Sequence, residues 1–190
     1  LFLEQQDYGV LLAPPDRMPW HDPERWTGDA ELRRDATDFG KALCFYRRAD
    51  GALVGVAKKG WVTVSGDTGR TWTQPVRPSG LVTGMGKVRG QQAPDGNYIL
   101  VYNPDRRRRY PLTVVAGSDG VTFGGMRAVH GDLPARRYAG ANKDPGASYV
   151  RGLSTWSDDG TRQSDGVWLV YSVNKEEIWV SYLPSGAAAR

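Results

Sequence analysis
Apolar residues fall along this 190-residue chain in short runs cut by Gly, Asp and Pro, a pattern that predicts strands and tight turns rather than helices. The runs repeat. The first unit has apolar stretches at 42–46, 52–57 and 61–64, with Asp50-Gly51 between the first two. A second unit follows with stretches at 86–92, 98–102 and 112–115, and with Asp95-Gly96 as its turn. A third has 149–155, Asp165-Gly166, 167–173 and 178–182. Each unit reads strand, Asp-Gly hairpin, apolar strand, connection, strand. A half-unit opens the chain at 1–13, with strands at 1–5 and 10–13. The stretch 14–40, rich in Pro, Asp, Arg and Trp, keeps no period and reads as an irregular insertion. The whole units span about 41–80, 81–130 and 147–184 of a single domain.

The first unit ends in Ser65-Gly66-Asp67-Thr68-Gly69-Arg70-Thr71-Trp72. Asp67 can accept hydrogen bonds from backbone N–H groups further on, Gly69 supplies a positive-φ position, and Trp72 packs back under the turn. The run matches S-x-D-x-G-x-T-W, the Asp-box of sialidase-type β-propellers. There it closes a hairpin between the outer strands of a blade, and Ser65, Asp67, Gly69, Thr71 and Trp72 are structural. In the second unit Gly120, Thr122 and Phe123 hold the places of Gly69, Thr71 and Trp72. Ala116 and Ser118 stand where Ser65 and Asp67 should be, so this box is degraded. The third unit has no box.

With the box and the repeat, the ending Val167-Trp168-Leu169-Val170-Tyr171-Ser172-Val173-Asn174-Lys175-Glu176-Glu177-Ile178-Trp179-Val180 resembles the sialidase-like, BNR-repeat superfamily, over roughly 41–184. More narrowly, Gly90-Gln91-Gln92, Val101-Tyr102-Asn103-Pro104, Val129-His130-Gly131-Asp132-Leu133-Pro134, Lys143-Asp144-Pro145-Gly146 and Tyr149-Val150-Arg151-Gly152 resemble a bacterial branch of it. The resemblance implies an all-β, sialidase-like β-propeller, about six-bladed when complete, of which this chain supplies about three and a half four-stranded antiparallel blades. The remaining blades would lie on an N-terminal segment or a partner chain. It further implies a glycosidase cleaving terminal acidic sugars, sialic or uronic, in the central cleft, with no cofactor and in a secreted or periplasmic setting. Two alternatives stay open: a polysaccharide lyase acting on uronate-containing glycans, and a non-catalytic glycan-binding propeller. A sialidase would carry an arginine triad, a tyrosine nucleophile with a glutamate partner, and an acid/base aspartate from early blades. The full triad and the Tyr/Glu pair are not matched here.

Arg89 and Arg151 hold the same place in successive units, in Lys87-Val88-Arg89-Gly90 and Tyr149-Val150-Arg151-Gly152. On the innermost strands they could grip one carboxylate with their planar forks, or serve as structural ion pairs. His130, with Tyr138, Tyr149 and Arg137, could do acid–base work, the histidine otherwise being a turn residue bonded to backbone. Glu177 could orient a tyrosine. Tyr102, Tyr171 and Asn174 could reach a ligand, as could Lys143 and Asp144 ahead of the third inner strand. Asp105 reads as turn chemistry in Asn103-Pro104-Asp105, and His21 as a loop histidine.

The net charge of +4 and pI near 9.3 fit an anionic partner. Much of the excess sits in Arg106–Arg109, read as a solvated loop, and no interleaving of basic and aromatic residues suggests nucleic acid. No apolar run is long enough to span a membrane. Leu1-Phe2-Leu3-Glu4 lacks the parts of a signal peptide. Cys44, the single cysteine, excludes an internal disulfide and reads as a packing residue. Two histidines and one cysteine at unrelated positions build no zinc site, and Asp158-Asp159-Gly160 lacks the further ligands of a calcium loop.

Overall fold
The computed structural model describes residues 42–78, 80–141, 143–153 and 165–186. The half-unit at 1–13, the insertion at 14–40 with His21, and Asp158-Asp159-Gly160 lie outside the described residues.

Ten strands form three antiparallel sheets among the described residues. The first holds β1 (Cys44–Arg47), β2 (Leu53–Val56) and β3 (Val62–Ser65). The second holds β4 (Arg89–Gln92), β5 (Tyr98–Tyr102), β6 (Leu112–Gly117) and β7 (Gly124–His130), and the third β8 (Ala147–Leu153), β9 (Gly166–Val173) and β10 (Glu177–Pro184). Within each sheet sequence neighbours are spatial neighbours, as the hairpin signals require. Gly51 and Gly96 take φ of 87° and 88° in the first two Asp-Gly turns; the third expected turn is not a tight hairpin, since β8 ends at Leu153 and Gly166 already opens β9.

The expected four strands per blade hold in full only for the second sheet. In the first, the segment after the Asp-box returns along β3, where Thr73 N–H donates to Val64 O at 2.9 Å and Val76 bridges Val62. The third sheet has three strands among the described residues. β7 escaped the hydrophobic pattern because it is an edge strand, exposed along most of its length.

β5 is buried at every position because both of its faces are covered. Tyr98, Leu100 and Tyr102 pack with Tyr46, Val54 and Val56 of the first sheet. Ile99 and Val101 pack with Val150, Val167, Leu169 and Tyr171 of the third. Two apolar seams therefore join three sheets face to face, with β1, β4 and β8 side by side. This is the arrangement of successive propeller blades, the first strand of each innermost. Glycine permits the close approach of inner strands. A Cβ on Gly90 would lie 2.7 Å from the Tyr46 ring, and one on Gly152 would overlap Gln91 Oε1.

Candidate functional site
The strands have two differently built ends. At one lies the Asp-box, where Ser65 Oγ donates to Asp67 Oδ1 at 2.8 Å and accepts from Gly69 N–H at 2.8 Å. Asp67 accepts from Thr71 N–H at 2.8 Å and Thr71 Oγ1 at 2.7 Å. These bonds, led by the Thr71 amide, lower its carboxyl to about 2. Gly69 sits at φ 88°, and Trp72 Nε1 donates to Gly69 O at 3.1 Å. In the second blade Asp119, one place later than the motif position, accepts from Val121 and Thr122 N–H at 2.8 and 2.7 Å. The degraded box thus keeps its carboxylate in a shifted register. Within each turn the bonding is local and polar; the second box is also held from the first sheet, where Tyr46 Oη donates to Gly120 O at 2.7 Å and Arg48 Nε to Asp119 O at 3.1 Å.

At the opposite end the inner strands begin and long loops converge. A bulge in β8 between Ser148 and Arg151 sets two residues, Tyr149 and Val150, against Tyr171 alone. Val150 turns into the core, while Tyr149, held at φ 58°, is left 44% exposed. Lys87, Arg109 and Lys175 lie 5.8, 5.5 and 5.7 Å from its ring centre. Burial acts to raise the phenol's pKa, but the charges and hydrogen bonds of Lys175 and Arg109 outweigh it and bring the pKa below the ordinary tyrosine value. Asp144 joins two of these cations, 3.1 Å from Arg109 Nη2 and 3.9 Å from Lys175 Nζ.

Beside this group, Glu176 gathers a loop. Its carboxylate, with a side chain only 4% exposed, accepts from Arg137 N–H at 3.0 Å and Tyr138 N–H at 2.9 Å and pairs with Lys143 Nζ. Those bonds, the Arg137 amide first, hold it near 2. Asn174 and Lys175, both at φ 55°, form the tight β9–β10 turn. Asn174 is buried, its Nδ2 donating to Pro134 O at 2.9 Å and its Oδ1 accepting from Gly146 N–H at 2.9 Å.

The structure brings Tyr149, Asp144, Lys143, Tyr138, Asn174 and Glu177 to this one end, in different roles. Glu177 pairs with Arg137 Nη2 at 2.9 Å and accepts from Trp179 Nε1 at 3.0 Å. His130 is buried against Tyr171 and Trp179, its Nδ1 3.4 Å from Tyr171 Oη, and its Nε2 has no hydrogen-bond partner among the described residues. Tyr102 lies in the seam between the first two sheets, where burial raises its pKa. Arg89 is 2% exposed, its Nε donating to Gln91 Oε1 at 3.1 Å beside Gly152. Arg151 is half-buried, between Val150 and Gly152, which both face the second sheet. By strand alternation it points to the other face. The two arginines thus hold equivalent strand positions, and Arg89 also reaches back to the first sheet, its Nη1 lying 4.0 Å from Cys44 Sγ. Lys87, Arg109, Lys175 and Glu176 were not singled out from sequence. Arg109 was hidden inside a run of four arginines, and Glu176 beside the equally acidic Glu177.

No family model and no curated protein matches the chain. Among solved structures, one titled simply a sialidase superposes with a TM-score of 0.69 and 35% identity, over 76% of this chain and 13% of that one. A leech intramolecular trans-sialidase complexed with 2,7-anhydro-Neu5Ac gives 0.52 and 17%, over 77% of this chain and 24% of that one. The intramolecular trans-sialidase of Ruminococcus gnavus, in complex with oseltamivir carboxylate, gives 0.50 and 17%, over 77% and 33%. The chain therefore spans between 13% and 33% of the length of these proteins. Its three sheets, its Asp-box and its likeness to these structures together make it part of a sialidase-like β-propeller.

Proposed function
We propose that the protein carrying these blades is a glycoside hydrolase that removes terminal acidic sugars, with the phenol of Tyr149 as its reacting group. The observation that carries the reading is Tyr149 itself, held outward by a strand bulge with its pKa lowered by Lys175 and Arg109. A phenol so placed loses its proton more readily and becomes a nucleophile. Its oxygen attacks the anomeric carbon while the glycosidic oxygen leaves with a proton from an acid outside the described residues. Water then cleaves the tyrosyl–sugar bond and returns the phenol. Lys87, Arg109 and Lys175 outnumber Asp144, so the surroundings favour an anionic sugar.

A second reading has one observation in its favour: the groups acting on the Tyr149 hydroxyl are cations. A uronate lyase uses such a tyrosine as base while cations neutralise the substrate carboxylate. In the full-length protein, Tyr149→Phe should lower turnover of 4-methylumbelliferyl N-acetylneuraminic acid by roughly 10²–10⁴-fold with the circular dichroism unchanged. Retained turnover in Tyr149→Phe would sink the Tyr149 assignment. An unsaturated product from a uronate polysaccharide, absorbing in the far ultraviolet, would favour the lyase.

A further inference from the structure
Charge divides unevenly between the two ends of the strands. Among the described residues, the turns at the Asp-box end carry Asp50, Asp67, Asp95, Asp119 and Asp165 against Arg47, Arg48 and Arg70. The loops at the opposite end carry an excess of cations. Foremost are Arg106, Arg107 and Arg108, all exposed in the connection from β5 to β6. Their turn is held by Asp105, whose carboxylate accepts from Arg107 N–H at 2.6 Å and from Arg108 N–H at 3.0 Å. The backbone is thereby fixed while three arginines stand in water.

This turn is the middle of a ridge that backbone contacts make continuous across three blades. In the first blade Lys59 N–H donates to Gly84 O at 2.9 Å. Gly84 lies so close against the Arg106 carbonyl that a Cβ there would overlap it. Past the exposed arginines, Arg109 pairs with Gly146 in a parallel bridge, and Gly146 O accepts from Asn174 N–H at 3.0 Å. Lys58, Lys59 and the three arginines thus continue the cationic surroundings of Tyr149 away from it, towards the first blade. Packed sheets stand about 10 Å apart, so a ridge over three of them runs on the order of 20 Å, well beyond the reach of one acidic group.

Positive charge drawn out along a line fits a ligand whose negative charge is drawn out likewise. Guanidinium forks match oxyanions such as carboxylate and sulfate. Every aromatic residue from 58 to 108 is buried, namely Trp61, Trp72, Tyr98 and Tyr102, so nucleic-acid bases would find nothing to stack on here. We infer that Lys58, Lys59, Arg106, Arg107 and Arg108 form a docking surface for a linear acidic polysaccharide, held through acidic groups repeated along its length and not through a terminal sugar. The choice of a glycan extends the reading of the Tyr149 cluster, but the surface works by binding alone.

The test titrates the full-length protein with fluorescently labelled heparin, which is sulfated, and polygalacturonate, which is carboxylated, at stepped sodium chloride. At least one should bind with a Kd that rises with salt, and the tighter one identifies the acidic group. Arg106→Gln, Arg107→Gln and Arg108→Gln combined should weaken that binding about ten- to hundredfold and flatten the log–log salt slope by about 2–3. Lys58→Gln with Lys59→Gln should weaken it about three- to tenfold. Arg47→Gln with Arg70→Gln, at the Asp-box end, should change neither Kd nor slope. The inference is overturned if neither polymer binds, if the ridge variants bind as wild type, or if the Asp-box-end pair loses as much. A DNA oligonucleotide of matching charge that binds as tightly as the better polymer would overturn it too. Since no turnover is needed, a protein that holds the polymer on this ridge yet cleaves no acidic glycoside keeps this inference while the Tyr149 reading falls.

Discussion
The Asp-box turn of the first blade and the loops at the opposite end of the strands solve the same problem, satisfying polar groups outside the sheets, in opposite ways. At the Asp-box end, Ser65, Asp67 and Thr71 bond within four residues of themselves. At the other end, Asn174 reaches Gly146 and Pro134, and Glu176 reaches Arg137, across 28, 40 and 39 residues. A locally satisfied turn can form early and keeps its form wherever its sequence stands. A site satisfied at long range exists only after the sheets have stacked, so its geometry depends on the assembled fold. The difference teaches where function can reside: the self-contained turn stabilises, and the assembled loops can bring groups from several places onto one ligand.

The sharpest way to break this comparison is Asn174→Ala. It strips acceptor and donor from Gly146 N–H and Pro134 C=O together, and should cost roughly 2–4 kcal/mol, read from denaturant unfolding of the full-length protein. Because both bonds tie the loop after β7 to the β9–β10 turn, activity should fall along with stability. Ser65→Ala removes a buried hydroxyl that bonds only inside its own turn, and should cost about 1 kcal/mol with activity unchanged. If the Ser65 variant proves the more damaging to activity, the two ends are not independent in the way their bonding suggests.

The same contrast explains what could be read from sequence. The Asp-box was legible because its partners lie within the motif, and β2, β5, β6 and β9 because burial of their apolar runs left a pattern. β7 was not legible, since an exposed edge strand needs no alternation. Asp119 was overlooked because the box was sought in fixed register, although an aspartate one place on can still accept from two following amides. Tyr149 and Asp144 were candidates by position. The reason they matter, however, is Arg109 and Lys175, which lie far off in sequence and share no motif with them. Glu177 was preferred to Glu176 because two adjacent glutamates are indistinguishable until the turn decides which one folds inward.

The smallest effect, nil at neutral pH, concerns the two carboxylates held near 2. Asp67 and Glu176 are lowered from ordinary values of 3.8 and 4.5. A depressed carboxyl contributes stability that is fully present above its unfolded value and is lost as pH falls through the folded one. The window therefore runs from 4.5 to about 2 for Glu176 and from 3.8 to about 2 for Asp67. Amide hydrogen exchange, corrected for its intrinsic pH dependence, separates the two ends within it. At the box the loss of protection should stay with Thr71, whose amide is the leading partner of Asp67. At Glu176 it should reach Arg137 and Tyr138 together, since one carboxylate holds both amides. Glu176→Gln should reproduce the acid behaviour of that loop at neutral pH and remove its further dependence on acid. If the loop in the Gln variant still loosens as pH falls from 4.5 to about 2, another group holds it there and the long-range end is braced by more than Glu176.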